Sequence, residues 1–297
     1  MFIINNTIAL DNYLNEVFSL WFSQIFNLIL DFEKLLFIKD ELSSFLIFLS
    51  LLFFFLILLS QLTSFWYELF EQSFYNIWLL LNILLVFLTE DLMSFFFFFE
   101  ATLLPIFLSV LNYGSRERKV RASIFIAIYT FFGSLFLFLS FLLFFSKYGS
   151  TDFSIFNYFN STIHFERLIW FILFISFASK VPLFPLHIWL PEAHVEASTI
   201  GSVLLAALIL KLGTYGILRF MIFPFFNSVY YFYPFFSSIC LISVWYTSWT
   251  AIRQIDLKKI IAYSSISHMG VVLAGFLTMQ SLSNIGGLFQ MFSHGLI

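Results

Sequence analysis

Five ionisable side chains fall within stretches of the chain that are otherwise almost wholly apolar. They are Glu100, Lys180, Lys211, His268 and His294. A charged side chain inside a bilayer costs from about 2.5 to over 10 kcal/mol, and it is retained where it faces protein or water and has a partner. Any one of the five could be a structural polar anchor. Five of them on five different predicted helices favour a row of groups that passes a proton or another ion.

Lys180 stands beside two prolines, in the segment SKVPLFP at residues 179–185. Each proline removes a backbone donor and clashes with the preceding turn, so we expect a broken helix that frees the carbonyls of Ala178 and Val181. Broken helices at bilayer depth line cavities or are buried in protein, and they mark transport sites in several transporter folds. An ordinary proline kink is the alternative. The adjacent lysine favours the transport interpretation.

Glu100 is the candidate partner of Lys180. Burial disfavours a lysine ammonium and a nearby carboxylate favours it, so a carboxylate that moves closer or farther would make the lysine hold or release a proton. A modulation of about 4 kcal/mol is comparable to moving one charge against roughly 150 to 200 mV, which costs about 3.5 to 4.6 kcal/mol. One modulated ion pair therefore matches the load of one proton.

Lys211 and His268 are the candidate neutral members of the relay. Lys211 lies in KLGTYG, a segment with two glycines, and an imidazole such as that of His268 changes charge near neutral pH. The run Phe95 to Phe99 occupies every face of a helical turn, so we interpret it as lipid contact and helix packing.

Four further polar residues lie at or near the broken helix. His194 and Glu196 could admit protons, but we expect them to be solvated or to make structural hydrogen bonds. His187 is undecided between these interpretations, and His164 is expected to be solvated in a polar loop.

The composition identifies a membrane protein. Of 297 residues, 61% are hydrophobic, 23% aromatic and only 10% charged, which is too few charges to cover a water-soluble globule. This excludes a disordered chain, a nucleic-acid-binding surface and a secreted disulfide scaffold. The sequence contains no phosphate loop, no paired-cysteine metal spacing and no serine nucleophile motif, so no metal or cofactor is expected and any chemistry must use the ionisable groups in the membrane.

Stretches of about 20 apolar residues, enough to cross roughly 30 Å of hydrocarbon, recur along the chain. We predict an all-α, polytopic membrane helix bundle with eight spans and a ninth helix that begins near Asn284. A short stretch at Val17 to Leu30 is either an interfacial helix or a short span. The eight spans are Ser43 to Leu62, Phe74 to Thr89, Leu92 to Leu111, Ala122 to Phe145, Leu168 to Leu190, Thr199 to Ile222, Tyr230 to Ile252 and Leu257 to Met279.

The basic residues of the short loops predict the orientation. Residues 116–121 and 253–259 carry seven of them, and the alternation of the spans places both loops on one side, the cytoplasm or the mitochondrial matrix. The polar loop at 146–166 then faces the other compartment.

Four segments together resemble the NADH dehydrogenase subunit 4 family, the antiporter-like proton-pumping membrane subunits of respiratory complex I. The match runs from about Phe74 to the last residue and is specific through its order of motifs. They are FEATLLP at 99–105, KVPLFPLHIWLPEAHVEA at 180–197, AALILKLG at 206–213 and DLKKIIAYSSISHMG at 256–270. The chain resembles the N-terminal part of such a subunit.

The resemblance implies two inverted five-helix repeats. Residues 1–73 would form an N-terminal region with one or two membrane helices, 74–224 a complete first repeat with the broken helix at 168–190, and 225–297 a truncated second repeat. It also implies the roles of the site residues. Glu100 would be the pairing carboxylate, Lys180 the switching lysine, Lys211 the bridge, and His268 and His294 the central relay histidines.

The resemblance further implies a translocating subunit without a redox site. NADH, FMN, iron–sulfur clusters and ubiquinone would bind in other subunits, the partners would be other membrane-arm subunits and surface lipids, and no nucleic acid is involved. The expected location is the mitochondrial inner membrane, or alternatively a bacterial plasma membrane. Two other functions stay open: a subunit of a multi-subunit cation/proton antiporter, and a non-pumping remnant needed for assembly.

Three departures from the family pattern bear on the fold. The family begins with two further helices, and the first 40 residues here supply at most one. Ser198 and Thr199 stand where the family usually has a proline, and either can N-cap the next helix. A helix that ended at Ile297 would leave unpaired carbonyls inside the hydrocarbon. We therefore expect either that a second polypeptide continues the bundle after this residue or that the sequence is a truncated record.

Overall fold

The computed structural model describes residues 40–61, 66–89, 91–114, 116–149, 151 and 162–296, and the short stretch predicted at Val17 to Leu30 lies outside them. Within these ranges the chain forms ten helices. They are α1 Glu41–Gln61, α2 Trp66–Leu88, α3 Leu92–Tyr113 with a turn at Thr102, α4 Lys119–Tyr148, α5 Ile163–Lys180, α6 Trp189–Glu196, α7 Thr199–Ile222, α8 Phe226–Ile252, α9 Leu257–Leu277 and α10 Ser281–Leu296.

Seven of the described helices, α1 to α4 and α7 to α9, are long and apolar enough to cross a membrane. They match seven of the eight predicted spans, and α10 begins close to the predicted ninth helix. The predicted all-α, polytopic membrane bundle is therefore confirmed. Its division into two inverted repeats stays a prediction.

The eighth predicted span is interrupted where its prolines predict. Helix α5 ends at Lys180, and α6 begins at Trp189 after a stretch of turns. The expectation that the carbonyl of Ala178 is free is wrong. This carbonyl accepts a hydrogen bond from the backbone N–H of Leu183 at 3.3 Å. The turn after the break thus replaces one of the hydrogen bonds that the helix loses.

Helix α7 is irregular in a way that the sequence does not predict. The α-helical stretch Leu210–Ile217 lies between two π-helical stretches, Leu205–Ile209 and Leu218–Ile222. Such π-helical turns are rare in proteins, and those that occur are often found at functional sites. Lys211 lies in the α-helical stretch, two residues after the end of the first π-helical stretch.

Two ion pairs show which helix ends lie together. Arg116 lies 3.4 Å from Asp256, so the two basic loops meet at one end of the bundle, which confirms the predicted alternation. Arg219, in the last turn of α7, forms an ion pair with Asp40, just before α1, at the opposite end. Which compartment each end faces stays a prediction.

Glycines bring α4 and α7 against the broken helix. A Cβ on Gly133 of α4 would lie 1.8 Å from the hydroxyl oxygen of Ser179, and one on Gly213 of α7 would lie 2.4 Å from the Val181 side chain. A separation under 3.0 Å cannot be tolerated without a shift. The absence of a side chain at these two positions therefore allows the backbone around Lys180 to be held from both sides.

We expect Gly133→Ala to destabilise the protein by about 1 to 3 kcal/mol, because the added methyl group would displace Ser179 in a filled core. Gly286→Ala is the matched control, since a Cβ on this exposed helical glycine meets no atom within 4 Å. The apparent unfolding temperature of the purified protein in detergent measures both. Equal temperatures for the two variants would contradict the close approach of α4 to α5.

Candidate functional site

The ammonium of Lys180 is buried at the end of α5, with 3% of its side chain exposed. Its Nζ donates a hydrogen bond to the backbone carbonyl of Phe99 at 2.6 Å and lies 3.3 Å from the centroid of the Phe99 ring. The nearest carboxylate oxygen, Oε1 of Glu100, is 3.6 Å away and has no hydrogen-bond donor among the described residues. The structure thus brings Glu100 and Lys180 together, but the lysine is hydrogen-bonded to Phe99.

The contact with Phe99 was not anticipated from the phenylalanine run. Phe95 and Phe99 are buried and Phe97 is 66% exposed, as expected for a run that combines core packing with a lipid-facing side. The ring and carbonyl of Phe99 add a cation–π contact and a charge-assisted hydrogen bond to that packing. A backbone acceptor has no signature in the sequence, which pointed to this place only through the broken helix and the candidate partner Glu100.

The indole of Trp189 holds the end of α5. Its Nε1–H donates to the carbonyl of Ser179 at 2.9 Å, and both residues are fully buried. Since Ser179 precedes Lys180, this bond connects the first residue of α6 to the turn that carries the lysine. It fixes the two halves of the broken helix to each other next to the ion pair.

Lys211, His294 and His268 form a second cluster. The Nζ of Lys211 donates to the carbonyl of Ala206 at 2.6 Å, in the first π-helical stretch, and lies 3.0 Å from Nδ1 of His294. The rings of His294 and His268 are 6.1 Å apart, and Nδ1 of His268 lies 3.3 Å from Nε2 of Gln290. A protonated Lys211 and a neutral His294 can therefore share one proton, whereas two protonated partners would repel each other.

The two clusters are separated by helix packing. Between Lys180 and α7 lies a void of about 10 Å³ bounded by Thr130, Trp189, Leu205 and Ile209. A cavity needs about 10 to 15 Å³ to hold one water molecule, so this void accommodates at most one. The five residues of the sequence analysis thus form a pair and a cluster of three.

A larger cavity of about 470 Å³ opens beside the second cluster. His268, His294 and Gln290 border it at one end, and Lys258 and His194 border it near the basic loops. Its walls come largely from α1, α7, α9 and α10 and combine apolar with polar side chains. The cavity is wide enough for several water molecules, and it leads from the basic end of the bundle to the buried Lys211 cluster.

The solvated position that we expected for His194 and Glu196 is wrong. Their exposed fractions are 5% and 3%, because α6 packs against α4 and α9. Two contacts hold it there: Lys258 Nζ donates to the carbonyl of Ala197 at 2.8 Å, and Lys259 lies 3.5 Å from Glu192. The expected hydrogen bonds are also missing at Nε2 of His194 and Oε2 of Glu196, which have no partner among the described residues.

The other two histidines near the break differ from each other. His187 is 4% exposed, and its ring lies 5.5 Å from that of Tyr246 and 5.8 Å from that of Phe184. His164 is exposed at the start of α5, as predicted. An aromatic neighbourhood suits a packing role for His187.

The fold and the site together define a polytopic membrane protein of the antiporter-like class, with a carboxylate and a buried lysine meeting at a broken helix. A family model described as "NADH:quinone oxidoreductase/Mrp antiporter, TM" matches residues 89–297. The chain belongs to this family.

Named relatives and a solved structure agree with this assignment. The chain is 46% identical over 213 residues to NADH-ubiquinone oxidoreductase chain 4 of Acanthamoeba castellanii, and 48% identical over 212 residues to that of Marchantia polymorpha. Each match covers 71% of this chain and 43% of the relative, so the chain spans less than half of their length. It also resembles a chain of respiratory complex I from Thermus thermophilus, with a TM-score of 0.66 and 25% identity over 75% of this chain and 53% of that one.

We expect Trp189→Phe to destabilise the protein by about 1 to 3 kcal/mol more than Trp170→Phe. Both tryptophans are fully buried, but Nε1 of Trp170 has no partner among the described residues, whereas loss of the Trp189 N–H leaves the buried carbonyl of Ser179 unsatisfied. Thermal unfolding of the two variants in parallel measures the difference. Equal losses would indicate that the indole hydrogen bond contributes nothing to the broken helix.

Proposed function

We propose that this chain is a proton-translocating membrane subunit of a respiratory NADH:ubiquinone oxidoreductase. The observation that carries the proposal is the ammonium of Lys180, buried at the break in a membrane helix and 3.6 Å from Glu100. The family assignment and the names of the relatives support it. Buried ionisable groups are kept in membrane helices where they serve ion paths, and this pair lies at the break between α5 and α6.

The geometry supplies a way to move a proton. A small displacement of Glu100 toward Lys180 favours the ammonium, and a displacement away favours its release of a proton. In the second cluster, the 3.0 Å contact between Lys211 and His294 allows direct transfer, and His268 continues it. The cavity that borders His268 and His294 supplies water from the basic end of the bundle.

The position of this chain in a larger assembly is part of the same proposal. NADH oxidation and quinone reduction would take place in other subunits, which would hold the flavin, the iron–sulfur clusters and the ubiquinone. Other membrane-arm subunits and lipids would be its neighbours, in the mitochondrial inner membrane. The second polypeptide expected after Ile297 stays a prediction.

The pumping role is distinguished from an assembly role by Lys180→Met. We expect the complex to assemble and proton translocation coupled to NADH oxidation to fall by at least about tenfold, because methionine fills the volume without the charge. Lys147→Met is the control, since Lys147 is exposed near the end of α4. Proton uptake by energised membrane vesicles, measured beside NADH oxidation, provides the test. Normal pumping by the Lys180 variant would favour the non-pumping remnant.

A further inference from the structure

The carbonyl of Phe99 accepts two hydrogen bonds from side chains. Lys180 Nζ donates to it at 2.6 Å, and the hydroxyl of Thr102 donates to it at 2.7 Å. Thr102 is 1% exposed and lies at the turn that interrupts α3. A carbonyl oxygen has two lone pairs, so these two donors together fill its acceptor capacity.

Lys180 therefore has two acceptor positions that differ in charge. One is neutral and consists of the Phe99 carbonyl and ring, which Lys180 contacts at hydrogen-bonding distance. The other is the carboxylate of Glu100, which lies 3.6 Å away and has an oxygen without a hydrogen-bond donor among the described residues. In this structure the ammonium is held by the neutral position, and the charged position is within a short side-chain movement.

We propose that Thr102 is a positioning residue that weakens the hold of the Phe99 carbonyl on Lys180, so that the lysine can exchange between Phe99 and Glu100. The hydroxyl places a partial positive charge beside the same oxygen that binds the ammonium. Each of two donors on one acceptor oxygen weakens the hydrogen bond of the other, and this weakening is large where water is absent. Without the hydroxyl, Lys180 would remain on Phe99 for longer. This inference rests on the proposed translocation.

The valine variant tests this assignment because valine preserves the shape of threonine and removes only the hydroxyl. In membrane vesicles with the assembled complex, we expect Thr102→Val to slow coupled proton translocation about fivefold, the ratio that one ordinary hydrogen bond supplies. Thr102→Ser restores the donor, and we expect it to pump within about twofold of the original rate.

Thr130→Val is the matched control. Thr130 is buried and borders the same small void, but its hydroxyl donates to the carbonyl of Ile126 at 2.6 Å and not to that of Phe99. We expect this variant to pump at the original rate. Equal slowing by Thr102→Val and Thr130→Val would show a general effect of losing a buried hydroxyl, and would overturn the assignment.

Three other results also overturn it. They are normal pumping by Thr102→Val, equal slowing by its valine and serine variants, and failure of the valine variant to assemble, which would show a packing role. Measuring Lys180→Met in the same vesicles separates this inference from the proposed function. If Lys180→Met stops pumping and Thr102→Val does not slow it, only the positioning role fails. If Lys180→Met pumps normally, the proposed function fails and the positioning role fails with it.

Discussion

The structure depends on keeping one lysine ammonium in a place from which water is nearly excluded. An uncompensated charge there would cost several kcal/mol, so every contact of Lys180 has to replace part of its hydration. The Phe99 carbonyl supplies a hydrogen bond, the Phe99 ring supplies the face of a π system, and Glu100 supplies the opposite charge. Together they leave the lysine with two acceptor positions, one neutral and one charged.

The broken helix is the means by which this position is built. A continuous helix would use its carbonyls internally and would carry Lys180 on a regular face, whereas the break ends α5 at that residue and returns the chain against it. The Trp189 indole, bonded to Ser179, and the missing side chain of Gly133 then fix the turn. Local helix stability is thus given up where the site needs an unusual backbone, and packing from neighbouring helices replaces it.

The sequence was sufficient to predict those features of the structure that follow directly from one type of residue. Apolar length predicted the spans, and the prolines after Lys180 predicted the interruption. Of the five ionisable residues in apolar stretches, Lys180, Lys211 and His294 are buried. The sequence failed where the result depends on tertiary contacts. The burial of His194 follows from the packing of α6 on α9, and the hydrogen bond to Phe99 uses a backbone atom that every residue possesses.

The separation of the two clusters has a consequence for how they can communicate. A void with room for at most one water molecule lies between Lys180 and α7. The break and α7 are in direct contact, because Gly213 of α7 packs on Val181, the residue after Lys180. Lys211 lies two residues before Gly213, on the stretch between two π-helical segments. A movement of the break that accompanies a change of partner by Lys180 would therefore press on the helix that carries Lys211. In this arrangement the π-helical segments provide backbone that can shift without breaking a regular helix.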